Sequence, residues 1–204
     1  MSTRPAADHA ALIENLRDFI DTEVIPREDL KAAHDGQAVD RVAAELYAIA
    51  RSRGLGAPRG RPEDGGLGLS WTECCAYLEQ AGRSFLGPHA LRCGPPTQPD
   101  MFALDKLATP AQRQRYLEPL LRGERKSCFA MTEPAPGVGS DPRMLSTRAR
   151  RDGGDWIIDG HKWFISGAMR ADFAIVVART EQGPSWFLVD MDTPGFEIVR
   201  DIPT

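Results

Sequence analysis

The sequence predicts an α+β protein with segregated parts, an all-helical part first and a strand-rich part second. Two observations carry this expectation. Up to about residue 125, apolar residues recur at helical spacing between recognisable caps and stops. Beyond Glu124 the grammar changes to short β-branched and aromatic runs separated by glycine-bearing turns. Helices grouped before strands indicate segregation, not the alternation of βαβ units. The expected domains are therefore 1–125 and 126–204.

The elements follow in order. Leu12, Ile13, Leu16, Phe19 and Ile20 share one face of a helix over 9–25, and Pro26 ends it. A second helix over about 38–53 carries Val39, Val42, Ala43, Leu46 and Ala50. Arg51 and Arg53 near its end complement the helix dipole, and Gly54 stops it. Residues 54–69 are rich in glycine and read as a loop. Ser70 and Glu73 form a capping box that opens a third helix to about Ala81. A proline-rich stretch over 84–99 precedes a short helix near 100–107. Thr109, Pro110 and Gln112 then open a last helix that runs to Arg122 and stops at Gly123. Strands are expected over 126–131, 144–151, 155–166, 172–179, 185–191 and 196–200. Asp152-Gly153-Gly154-Asp155 and Glu181-Gln182-Gly183-Pro184 are read as hairpin turns.

Composition narrows the function classes. The 204 residues are 42% hydrophobic and 26% charged, with a net charge of −4, the profile of an ordinary globular protein. Acids and bases are spread evenly over both parts, so no basic face points to a nucleic-acid partner. No run approaches the ~18 apolar residues of a membrane span. The N-terminus lacks an apolar signal core, which favours a cytoplasmic protein. Cys74, Cys75, Cys93 and Cys128 form no CxxC pair, and the four histidines show no ligand spacing, so reduced thiols and no metal are expected.

Two motifs carry chemistry. In Cys128–Asp141 a short apolar strand enters Thr132-Glu133-Pro134 and then a glycine-rich turn ending at Ser140-Asp141. Glycines let main chain approach a ligand, and Thr132 and Ser140 add hydroxyls. Gly160-His161-Lys162-Trp163-Phe164-Ile165-Ser166-Gly167 reads as a strand end with Phe164 and Ser166 on one face. An aromatic face beside a hydroxyl suits a flat, nitrogen-rich ring such as a flavin. Glu133 and Asp141 are expected to hold backbone amides and not to act as a catalytic pair. Gly66-Leu67-Gly68-Leu69-Ser70 lacks a preceding strand and a third fingerprint glycine, so it is read as a turn plus cap, not a phosphate loop.

In this order and spacing the two motifs resemble those of the acyl-CoA dehydrogenase family of flavoproteins. The resemblance extends from the first helix to Ile202 and includes Gly65–Ser70 and Tyr116–Glu124. Arg92–Met101 is similar to a branch acting on longer or unusual acyl chains. The resemblance implies FAD as cofactor, bound through Phe129, Met131, Thr132, Gly139, Ser140, Phe164, Ile165 and Ser166. Ser140 is also implied to reach the acyl-CoA substrate. Phe164 stands where the family usually has a tryptophan against the flavin. Ser166 stands where a threonine hydrogen-bonds the ring nitrogen that accepts hydride. Ala135-Pro136 lengthens the turn by two residues relative to the common family form.

The implied reaction is α,β-dehydrogenation of an acyl-CoA thioester, with electrons passed to an electron-transfer flavoprotein or similar acceptor. The implied fold is a helical domain followed by an incomplete antiparallel β-barrel-like domain. The family's C-terminal helical bundle, with its glutamate base, is expected to be absent, so no catalytic residue is assigned and the isolated chain is expected to be inactive. The complete protein is expected to be a homo-oligomer. A non-catalytic flavin or acyl-CoA-binding subunit needing a separate polypeptide, and a flavin monooxygenase on the same fold, remain as alternatives.

Overall fold

The computed structural model describes residues 6–29, 35–137 and 139–202. Residues 1–5, 30–34, 138 and 203–204 lie outside them. The chain divides into two units between Glu124 and Arg125. Among the described residues, no helix is long and apolar enough to cross a membrane.

In the first unit, α1 (Ala6–Phe19) passes into a π turn, Ile20–Val24, and a 3-10 turn, Ile25–Arg27. A single helix was expected here. Residues four apart drift by about 40° round an α-helix, and the wider π turn offsets that drift. Leu16, Ile20 and Val24 thereby stay fully buried on one line. Asp35 caps α2 (Gly36–Ser52) by accepting from the amides of Gln37 and Ala38. Ser70 and Glu73 cap α3 (Trp71–Ala81) reciprocally. A short α4 (Gly87–Ala90) and α5 (Thr97–Leu107) follow. Thr109 and Gln112 box α6 (Pro110–Gln112), which continues through a π turn at Arg113–Leu117 into α7 (Glu118–Arg122).

Leu16, Phe19, Leu46, Leu55, Leu69, Tyr77, Leu86 and Leu91 fill the core of this unit. Each such side chain contributes roughly 1.5–3 kcal/mol by leaving water. The buried Tyr47 hydroxyl donates to the Leu121 carbonyl at 2.5 Å, tying α2 to α7. In the loop before α3, a Cβ at Gly66 would overlap the main chain of Gly60. That glycine answers a close backbone crossing within the loop, in keeping with its reading as a structural turn.

The second unit is a five-stranded sheet: β1 (Ser127–Ala130), β2 (Arg148–Asp152), β3 (Asp155–Asp159), β4 (Phe173–Thr180) and β5 (Gly183–Asp190). β4 is its spine. Phe173–Ala178 are six consecutive buried residues, the pattern of a strand covered on both faces. The two expected hairpins, β2–β3 and β4–β5, form as antiparallel pairs.

The sheet as a whole is mixed, where an antiparallel one was expected. β1 runs parallel to β4 with Ser127 opposite Phe173, and β2 meets β4 in parallel at Arg148–Arg179. A strand has two hydrogen-bonding edges. β5 occupies one edge of β4, so β1 and β2 follow one another along the other. Cys128, Ala130, Ala174 and Val176 form a small core on one face, covered by Ile158, Ile165, Ala168, Val189 and Phe196.

Three expected strand segments are not strands. Pro142 opens a 3-10 turn, Pro142–Met144, and the amides of Ser146 and Thr147 turn to the Glu133 carboxylate. Residues 160–166 carry no ladder pairing, because Lys162 and Trp163 reach carbonyls at the exit of β1. The 196–200 segment stays irregular, and Phe196 packs into the small core.

Candidate functional site

The site is built where β1 ends. Met131 and Thr132 leave the strand, and the chain bends through Glu133–Ser140. The Glu133 amide donates to the Gly139 carbonyl at 3.0 Å, closing the turn. The second motif is bound to the same place. Trp163 N–H donates to the Thr132 carbonyl at 3.1 Å, and Lys162 Nζ donates to the Met131 carbonyl at 2.9 Å. The two motifs are therefore brought together by main-chain and side-chain bonds.

Beneath them lies Glu133, only 1% exposed. Its carboxylate accepts from Lys162 Nζ at 2.7 Å, from Ser146 N at 2.6 Å and Oγ at 2.7 Å, and from Thr147 N at 3.0 Å. Burial alone would raise this carboxyl. The hydrogen bonds from Lys162, Thr147 and Ser146 outweigh it and bring the pKa down to about 2. Burial pushes the Lys162 ammonium down, and Glu133 opposes that push. Removing one partner of such a buried pair costs about 3–5 kcal/mol, because the other charge is left uncompensated.

Two glycines make room for this arrangement. A Cβ at Gly137 would stand 2.7 Å from Glu133 Cβ and would overlap its Oε2. A Cβ at Gly160 would stand 2.6 Å from Thr147 Cβ. Asp141 accepts from the Arg143 amide at 2.9 Å and pairs with its guanidinium at 2.8 Å. Those bonds to Arg143 hold its carboxyl at about 2. Glu133 thus ties the turn to Ser146, Thr147 and Lys162, and Asp141 caps the 3-10 turn that follows it.

The exposed surface above this base is apolar and hydroxylic. Phe164 is 58% exposed, and its ring lies 4.8 Å from that of Trp163. Its φ is +51°, in the left-handed region that costs a non-glycine residue about 1–2 kcal/mol. The expectation that Phe164 and Ser166 share a strand face is corrected. Both are exposed because the chain kinks at Phe164, not because a pleat alternates. Ile165, between them, is half-buried and packs into the small core. Its side chain anchors the loop from below.

Ser140 and Gly139 stand on the exposed end of the turn, and Met131 and Thr132 are half-buried. The Phe129 side chain lies elsewhere. It points to the face of β1 opposite Cys128 and Ala130, edge-on to Trp186 at 5.2 Å. Only its main chain belongs to the strand exit. Lys162, Ser146 and Thr147 also belong to the site. No local pattern marks them, since their common partner is Glu133, 13 to 29 residues away.

Family models match both units: the acyl-CoA dehydrogenase N-terminal domain over residues 6–124 and its middle domain over residues 128–204. The helical unit and the sheet unit thus correspond to the first two domains of that class of proteins. The chain belongs to the acyl-CoA dehydrogenase family, whose members bind FAD. It is 39% identical over 171 residues to the Probable acyl-CoA dehydrogenase FadE2 of Mycobacterium tuberculosis, covering 79% of this chain and 41% of the relative. It is 32% identical over 212 residues to the (R)-benzylsuccinyl-CoA dehydrogenase of Thauera aromatica, covering 96% and 52%. A glutaryl-CoA dehydrogenase from Mycobacterium smegmatis, solved in complex with FADH2, superposes with a TM-score of 0.71 at 28% identity, covering 94% of this chain and 47% of that one. The chain therefore spans about half the length of these relatives.

Proposed function

We propose that this chain provides the flavin-ring side of an FAD-dependent acyl-CoA dehydrogenase acting on the α and β carbons of an acyl-CoA thioester. The observation that carries the reading is the junction of the two motifs, the Trp163–Thr132 and Lys162–Met131 bonds. The residues present fit a flavin ring. Phe164 offers an exposed aromatic face, and Ser166, Ser140 and Thr132 offer hydroxyls. The main chain of Phe129, Met131, Thr132, Gly139 and Ile165 supplies the frame. When bound, FAD supplies the hydride-accepting chemistry.

The chain's own residues bind and orient. The carbonyls of Met131 and Thr132 accept from Lys162 and Trp163, and the hydroxyls of Thr132 and Ser140 are the turn's side-chain groups able to donate to a ligand. Ser140, exposed at the end of the turn, is the residue assigned to both cofactor and acyl-CoA in this reading. Glu133 and Asp141, with carboxyls held at about 2, are weak bases whose oxygens are engaged by structural partners, so the α-proton base is sought outside these two residues, and the 204 residues alone are expected to be inactive. An electron-transfer flavoprotein or similar carrier takes the electrons. The complete protein works as a cytoplasmic homo-oligomer.

The experiment is to express the protein from its complete reading frame, load it with FAD and add acyl-CoA thioesters without oxygen. Bleaching of the flavin band supports the reading. A colourless protein that takes up no FAD refutes it, and flavin reduced by NADPH but by no acyl-CoA would favour a monooxygenase.

A further inference from the structure

Phe164 poses a physical problem. A bulky residue at φ +51° persists only where its surroundings over-determine it, yet its own ring is 58% exposed and contributes little to hold it. The restraint must come from its neighbours. On the C-terminal side, Ile165 is packed into the small core. On the N-terminal side, Trp163 N–H is fixed to Thr132, and Lys162 reaches Met131 and Glu133.

From this we infer that Lys162 and Glu133 are a positioning pair for the exposed ring-binding surface. Their ion pair joins the exit of β1, the Ser146-Thr147 segment and the Gly160–Gly167 loop into one body. It thereby keeps Phe164 and Ser166 in register with the Thr132 turn. Neither residue touches the ligand, and both act through the loops they tie.

Three observations favour positioning over general stabilisation. The sheet's core lies around Cys128, Ala130, Ala174 and Val176 and does not include the pair. The pair's bonds fall on the two loops and on Ser146-Thr147, with none to the β4–β5 ladder. Gly137 and Gly160 leave room at the carboxylate and at its Thr147 donor, so the clearance is local to the clamp. A dry ion pair is also directional, which suits it to fixing geometry.

The inference rests on the flavin reading for what the surface holds, and the test separates the two. Lys162→Met, Lys162→Arg and Glu133→Gln are made in the full-length protein. Hydrogen exchange of the apo proteins reads the clamp, and FAD titration with visible circular dichroism of the bound flavin reads its consequence. In Lys162→Met, amides in 131–147 and 160–167 should exchange at least about tenfold faster while β4–β5 is unchanged. FAD should bind about tenfold or more weakly, with an altered flavin signal. Lys162→Arg should recover most of both.

Unchanged loop exchange overturns the inference. So do loosened loops with wild-type FAD affinity and flavin signal. If none of the three variants folds, the pair is a determinant of the whole unit and the positioning role is likewise overturned. If the unsubstituted protein takes up no FAD, the flavin reading fails by itself, while the exchange arm still decides whether the clamp exists.

Discussion

Trp163 N–H and the Thr132 carbonyl, 3.1 Å apart, join two segments that the sequence separates by a whole hairpin. With Lys162 on Met131 at 2.9 Å, the bond turns a strand exit and a distant loop into one surface. A set of separate motifs thereby becomes a candidate site.

Phe164 is predicted to separate stability from binding. Phe164→Gly relieves the left-handed strain, about 1–2 kcal/mol. It also gives up the ring contact with Trp163, about 0.5–1.5 kcal/mol. The two nearly cancel, so the denaturation midpoint should move little while FAD affinity falls. Paired urea melts and FAD titrations check this, and unaltered affinity would remove Phe164 from the site.

Acid stability should carry the signature of Glu133. Its folded pKa, about 2, lies below the ordinary carboxyl value of 4.5. Its contribution is therefore complete above the unfolded value and is lost as pH falls through the folded one. The magnitude is on the order of 3 kcal/mol. Asp141 titrates alike in both proteins. The difference in urea midpoint between the native chain and Glu133→Gln, followed from pH 5 to pH 2, should shrink steadily. A difference independent of pH would contradict the assignment.

Gly137→Ala should be costly despite its conservative chemistry. The new methyl overlaps Glu133 Oε2, and four hydrogen bonds hold that carboxylate in place. A loss of about 1–3 kcal/mol is expected, typical of forced overpacking. Gly160→Ala meets the β-branched Thr147 and should behave similarly. Chemical denaturation of each variant measures it, and losses under about 0.5 kcal/mol would show that the clamp yields easily.

In the helical unit, Tyr47→Phe keeps the buried ring but strips the Leu121 carbonyl of its donor. An unsatisfied buried acceptor costs about 1–3 kcal/mol. The same variant should leave FAD binding unaltered, which separates this bond from the site chemistry.

Much was legible because it is local. Asp35 aside, the caps at Ser70 and Thr109 are written in four-residue patterns, and the structure forms both boxes. Both hairpins were visible as glycine-bearing turns between β-rich runs. The 160–166 segment misled because alternation of Trp163, Phe164, Ile165 and Ser166 is also what a pleated strand would show. Partners for its backbone were decided elsewhere in the chain. The same holds for 144–147, whose amides answer a carboxylate and not a neighbouring strand.

The amino-acid order by itself determined the helical-then-strand division, the capped helices, the hairpins and the two motifs with their exposed aromatic and hydroxyl types. These depend on neighbours within a few residues, where propensity, capping and turn chemistry act. Tertiary structure alone decided the parallel placement of β1 beside β4, the kink at Phe164, the inward turn of Ile165 and the Glu133–Lys162 clamp. Each of those is a bond or contact between segments far apart in the chain, and its free energy exists only after folding has removed the intervening water.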